Sequence, residues 1–510
     1  MTLSALILIP LAGGLLSLAS ERFNAALPRL VGLVSMTLVL LLACLLWQNG
    51  IFDATAASAL PDVPQWAFAE QYTWLPRLGA SLHFALDGIS LAMILLTGIL
   101  GVLAMLTSWT DQPQRPGAYY LCLLWSLAGV LGVFLCIDLL AFFFFWEVML
   151  IPVYFLIAVW GHPSHDEDAR QRAALRMFLY TQAGGLLLLV GILGLALSHW
   201  QATQMLTFDY TALLSAHITL PPALQMGLML CFFAGFAVKL PIVPLHGWLP
   251  DAHAHTPASG SVDLAGLLLK TAGYGMLRFT LPLFPEASRE IADIAIGLGL
   301  FGVFYGAFLA FVQTDMKKLI AYTSISHMGF VLLALYAGTL ISLQGLAVQM
   351  VAHGLCAAGL FVLAGLIQQR LGTRDLRELH GLWGRFTWLS PFLMIFAAAL
   401  AGIPGTANFV GELLILLGAF DGSPWMTDAF ATTMVLAGIY ALWLVHRSLF
   451  GAPSDQAVAD LSIRDSAILL SLVILLVFIG LYPQPLLDMS DRAMTFVHHA
   501  YTASAVQPLN

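Results

Sequence analysis

FAVKLPIVPLHGWLPDAHAHTPASGSVDLAGLLLKTAGYGMLRF, residues 236–279, sets two lysines deep in apolar sequence. Lys239 sits inside CFFAGFAVKLPIVPLHGWL, and Lys270 inside VDLAGLLLKTAGYGMLRF. A helix of about 20 apolar residues is long enough to cross a ~30 Å hydrocarbon core, so both lysines read as charges at membrane depth. Outward from this stretch, runs of similar length recur near 2–20, 28–48, 86–109, 118–136, 139–160, 173–197, 222–248, 257–281, 290–312, 318–338, 341–368, 386–417, 426–448 and 465–486. The chain is 60% hydrophobic and 9% charged, where soluble domains carry about a quarter charged residues. The expected fold is an all-α polytopic membrane protein of about 14 spans, which excludes a soluble fold for its 510 residues.

The run from Thr2 to Ser20 has no basic residues before it and no clear small-residue cleavage site, so it is expected to stay as the first span. Residues 50–85 contain Pro61, Pro64 and Pro76 and are too polar to span; they read as an outer loop, with Asp87 capping the third span. Arg22, Arg29, Arg115, Arg170, Arg172, Arg176, Lys317, Lys318, Arg370, Arg374, Arg377, Arg385, Arg447 and Arg464 gather on one side, and Arg77, Arg278, Arg289 and Arg492 on the other. Because cytoplasmic loops carry the excess of Lys and Arg, both termini are expected on the far side of a bacterial cytoplasmic (inner) membrane, the periplasmic side. The net charge of −8 and the lack of a basic stripe offer nothing to nucleic acid.

An ionisable residue at a helix centre costs ~2.5–3.5 kcal/mol on insertion scales, so such residues face the bundle interior and usually mark an ion path. Four fit that description: Glu147 in AFFFFWEVMLIPVYFL, Lys239, Lys270, and Glu412 in AAALAGIPGTANFVGELLILLGAF. Only four lysines exist, and two of them are here. The plainer reading is a buried ion pair that fixes packing, or a side chain that snorkels to the interface. Opposite charges about 4 Å apart attract by ~4 kcal/mol at an effective dielectric of ~20. Moving a carboxylate such as Glu147 toward or away from Lys239 would therefore load or discharge the lysine.

Pro241 and Pro244 follow Lys239, and Gly402, Pro404 and Gly405 precede Glu412, so both helices should break at depth. Broken helices at matching places in two halves point to a transport site between inverted repeats; a proline kink in an ordinary span is the competing account. His327 and His353 lie on consecutive spans, where imidazole suits a proton relay as readily as a packing hydrogen bond. Asp251, His253 and His255 are placed in a loop without further metal ligands. The five cysteines are scattered singly and read as core residues, and no Walker loop, dinucleotide fingerprint or nucleophile elbow is present. No cofactor or metal site is expected in this chain.

Residues 142–162 (FFFFWEVMLIPVYFLIAVWGH), 236–279 and 313–331 (QTDMKKLIAYTSISHMGFV) resemble the antiporter-like proton-channel subunits of respiratory complex I, shared with multisubunit cation/proton antiporters and membrane-bound hydrogenases. The resemblance covers nearly the whole chain. It implies a single antiporter-like domain over 1–510, with three first spans and the outer loop in 1–117, inverted five-helix repeats at 118–281 and 290–448, and a last span at 465–486. It further implies a Glu147 and Lys239 pair, a central Lys270, relay residues His327 and His353, and an exit at Glu412. Glutamate at the exit, and an end soon after the last span without a long lateral helix, resemble the subunit M branch rather than subunits L and N. NADH, FMN, iron-sulfur clusters and quinone would then be handled by partner subunits. A cation/proton antiporter subunit and a non-transporting scaffold remain the alternatives.

Overall fold

The computed structural model describes residues 2–50, 64–109, 113–162, 168–216, 218, 220–420, 424–452 and 458–503. Residues 51–63 of the expected outer loop, Pro61 among them, lie outside it. Among the described residues, twelve helices are long and apolar enough to cross a membrane, and Leu389–Leu400 and Ala407–Phe420 are shorter apolar helices. The chain is a multi-pass membrane protein.

In chain order the helices are α1 (Thr2–Ser20), α2 (Leu27–Asn49), α3 (Gly88–Thr107), α4 (Pro116–Leu135), α5 (Leu139–Val148), α6 (Leu150–Trp160), α7 (Ala169–Thr203), α8 (Tyr210–Ser215), α9 (Pro222–Lys239) and α10 (Leu249–His255). Next comes a helix that twice widens into a π turn: α11 (Ala258–Asp263), a π turn at Leu264–Leu268, α12 (Leu269–Gly275), a second at Met276–Thr280, and α13 (Leu281–Leu283). The rest are α14 (Pro285–Glu290), α15 (Ala292–Val312), α16 (Met316–Ala337), α17 (Leu340–Leu371), α18 (Leu382–Arg385), α19 (Leu389–Leu400), α20 (Ala407–Phe420), α21 (Pro424–Leu449), α22 (Ile463–Leu481) and α23 (Gln484–Ala503).

Lipid tails are as apolar as leucine, so close packing must hold these helices together. Glycines provide it. A Cβ added to Gly299 on α15 would lie 2.8 Å from the Gly329 carbonyl oxygen on α16, and one on Gly329 would lie 2.4 Å from that of Gly299. α16 and α17 are the interior of the bundle, nearly all of their apolar windows being buried.

Four features depart from the sequence reading. Part of the outer loop is a hairpin, β1 (Phe68–Leu75) against β2 (Ala80–Leu86), because FAEQYTWL alternates in burial residue by residue. Glu70 on β1 accepts the Leu3 and Ser4 backbone N–H groups at 3.1 Å each and so caps α1. Burial opposes its charge, yet these donors hold its carboxyl at about 2. Asp138 caps α5 and also accepts the Ser81 N–H at 2.9 Å, which ties β2 down. Second, Asp251, His253 and His255 lie on helix α10, which Pro250 helps to start, rather than in a loop. Third, the last span is followed by the amphipathic α23, which lies on the hairpin side of the bundle against α3, α13, α14 and α17.

Arg278 also departs. It is 2% exposed, inside the second π turn, and ion-paired with Asp87. Asp87 does cap α3, accepting the Ser90 N–H at 3.0 Å, so it serves both groups.

The seat of α23 depends on Gly88, where an added Cβ would fall 1.5 Å from the Met489 carbonyl oxygen. Overpacking of this kind costs about 1–3 kcal/mol. Gly88→Ala is expected to lift α23 and expose it to limited proteolysis in membranes, and an unchanged digestion rate would show that the close approach is not needed.

Candidate functional site

Four of the predicted residues form one buried line. Lys270 Nζ donates to the Ala265 carbonyl at 2.5 Å, within the first π turn, and meets His353 Nδ1 at 2.7 Å. The His353 and His327 rings stand 5.6 Å apart between centroids. His327 Nδ1 lies 2.8 Å from Glu412 Oε1, and its Nε2 lies 3.2 Å from the Tyr440 hydroxyl. Lys270, His353, His327 and Glu412 are each at most 2% exposed.

His327 faces Glu412 through Nδ1 and Tyr440 through Nε2, so one ring bridges the two. Gln349 Nε2 donates to the same Glu412 oxygen at 3.2 Å. Each of the four can hold a proton and give it up, so the line suits stepwise proton transfer.

Glu412 sits at the second helix break. α19 ends at Leu400, α20 begins at Ala407, and Gly402 between them has φ +66°. An added Cβ there would lie 3.2 Å from Glu412 Oε2, so the glycine leaves room for the carboxylate. The first break is present as well: α9 ends at Lys239, turns cover Pro241 and Pro244, and α10 follows at Leu249.

Glu147 and Lys239 share no hydrogen bond or close ion pair, although their charges interact. Lys239 is 1% exposed, its Nζ has no hydrogen-bond partner, and it rests 3.5 Å from the centroid of the Trp146 ring. A desolvated cation over an indole gains about 2 kcal/mol. Glu147, next in sequence, is half-buried at the end of α5 and turned toward α7, where a Cβ on Gly185 would lie 2.1 Å from its Oε1. No hydrogen bond links Lys239 to Lys270, so the predicted residues fall into two sections.

Trp146, Gln349 and Tyr440 were not anticipated. Gln349 had a signal, as a polar residue one helical turn before His353 in VQMVAHG, and Trp146 stands beside an acid in FFFFWE. Tyr440 had none. Asp251, His253 and His255 turn to separate partners: Asp251 pairs with Arg176 at 2.5 Å and Lys318 at 3.0 Å, His253 stacks on Phe361, and His255 Nδ1 lies 3.2 Å from the His162 carbonyl.

The family described as NADH:quinone oxidoreductase/Mrp antiporter, TM, matches residues 136–442. NADH-quinone oxidoreductase subunit M of Pseudomonas aeruginosa is 51% identical over 496 residues, covering 97% of each chain. The chain belongs to the subunit M family. Subunit M of Escherichia coli (strain K12) is 50% identical over 498 residues, again with 97% of each chain covered. Among solved structures, respiratory complex I from Thermus thermophilus with bound NADH contains a chain that is similar with a TM-score of 0.86 and 29% identity, covering 98% of this chain and 100% of that one. The Mrp complex from Dietzia sp. shares the fold, with a TM-score of 0.80, 22% identity, and coverage of 97% of this chain and 52% of that one. The all-α, antiporter-like membrane fold expected from the sequence is that of the subunit M family.

Gly402 is where this family member combines a left-handed backbone with a neighbouring carboxylate. A side chain in that conformation costs roughly 1–2 kcal/mol. Gly402→Ala is expected to lower the thermal midpoint of the assembled complex and to slow its turnover, both measured on purified enzyme. Parent values for both would mean that the break tolerates any residue.

Proposed function

We propose that this chain is a proton-translocating subunit of the membrane arm of an NADH:quinone oxidoreductase. Protons enter beside Glu147 and Lys239, reach Lys270, and pass through His353 and His327 to Glu412, from which they leave. The observation that carries this reading is the line from Lys270 to Glu412, which ends at a helix break. The subunit M names of its relatives support it. Residues 118–281 and 290–448 are the two inverted repeats of this reading, each with one break, within a single domain.

NADH oxidation, FMN, the iron-sulfur clusters and quinone belong to neighbouring subunits, and subunits L and N flank this one. The bilayer is a bacterial cytoplasmic membrane. With the buried Arg278 and Lys317 both set aside, the Lys and Arg residues of the two faces stand at thirteen against three. That excess supports a cytoplasmic face opposite the hairpin and periplasmic termini, with transport from cytoplasm to periplasm. Moving a charge against the membrane potential takes ~2.3 kcal/mol per 100 mV, so the work comes from quinone reduction elsewhere in the complex.

The parted Glu147 and Lys239 fit one end of the stroke, in which the indole of Trp146 holds the lysine while the carboxylate is away. Glu147→Gln and Glu412→Gln, at matched assembly, are each expected to abolish most NADH-driven acidification of inverted vesicles and to slow quinone reduction with it. Unchanged acidification and turnover in both variants would leave the chain a scaffold. Trp146→Leu is expected to slow turnover about ten-fold or more, since it removes roughly 2 kcal/mol of stabilisation from the charged lysine. Steady-state NADH oxidation checks this, and a parent rate would dismiss the indole.

A further inference from the structure

The helix that carries Lys270 carries a second polar line outward from it. Tyr274 and Arg278 follow four and eight residues on, and all three are buried. The Tyr274 hydroxyl donates to the Phe134 carbonyl at 3.1 Å and accepts from Arg278 Nε at 3.3 Å, with Ser90 Oγ 2.8 Å away. Arg278 pairs with Asp87, whose other oxygen caps α3. Asp87 in turn lines a cavity of about 360 Å³ that reaches exposed Asn49 and Gln65 on the hairpin face. The geometry thus joins the central lysine's helix directly to the outer side, with no detour through the second half.

One member makes this line different in kind. Proton hopping requires each group to accept on one side and donate on the other. A guanidinium has donors only and does not deprotonate in proteins. Tyr274 lies among the Phe134 carbonyl, Ser90 and Arg278, and its outward neighbour Arg278 can only donate to it. The line to Glu412 consists of lysine, two imidazoles and a carboxylate, all of which titrate.

We propose that Arg278, fixed by Asp87, blocks the direct outward exit from Lys270 and so commits protons to His353. This inference rests on the reading of Lys270 as a proton carrier and goes beyond it by naming the residue that sets the direction of travel. In that role Arg278 is a positioning residue: it transfers no proton itself.

The test uses the whole complex in inverted vesicles, with decay of an imposed pH gradient measured without NADH. Arg278→His, and Arg278→Lys in case the first variant does not assemble, place a titrating group in the gap. Either is expected to raise passive leak several-fold, and adding Lys270→Met is expected to close it. The paired variant Asp87→Asn/Arg278→Gln removes both charges without a titrating side chain and is expected to hold the gradient.

A tight Arg278→His or Arg278→Lys membrane would overturn the proposal. A leak that survives Lys270→Met, or an equal leak in the paired variant, would also overturn it, since either marks a packing defect. Failure of the underlying reading is separate: Lys270→Met alone would then leave NADH-driven acidification intact.

Discussion

Hydrocarbon solvates no charge, so every ionisable group inside this bundle has to be solvated by other parts of the chain. The structure meets that demand unevenly. Arg278 has a full counter-charge in Asp87, and Lys317 gives its amine to the Thr256 carbonyl at 2.7 Å. Lys270 has a carbonyl and an imidazole. Lys239 has an indole face and, at longer range, the charge of Glu147. Of these four cations, Arg278 has an ion pair, and the three lysines are held at contact distance by neutral groups.

The same constraint governs the backbone. A carbonyl at membrane depth is exposed only where something uses it. The π turns on either side of Lys270 and the breaks after Lys239 and before Glu412 are four places where helical bonding departs from its ordinary pattern, and each has a charged residue beside it. π turns are common at functional sites for this reason. Deformation of the helices and placement of the charges are therefore one design decision made at four positions.

Most of this was legible from composition and local pattern. The apolar runs located the spans, the prolines and glycines located both breaks, and the rarity of charge inside apolar sequence singled out Glu147, Lys239, Lys270 and Glu412. Partnership was less legible, because His327 meets Glu412 across 85 residues and Tyr440 across 113. Arg278 looked like a span end because a charge near a run's edge normally snorkels; its partner Asp87, 191 residues earlier, keeps it inside. The hairpin and α23 carry no long apolar run to announce them, since FAEQYTWL alternates and α23 is apolar on one face only.

The seat of α23 has a mechanical consequence. This helix touches α3, α13, α14 and α17, and is held by His498 on the Gly338 carbonyl at 2.7 Å and by Gln344 on Asp491 at 2.8 Å. It braces both halves along one membrane surface. At the other surface, α7, α10 and α16 are linked by the partly exposed Arg176, Asp251 and Lys318, contacts of a kind that contribute little. The hairpin-side surface thus has a helix laid across it that ties elements distant in the chain to one another.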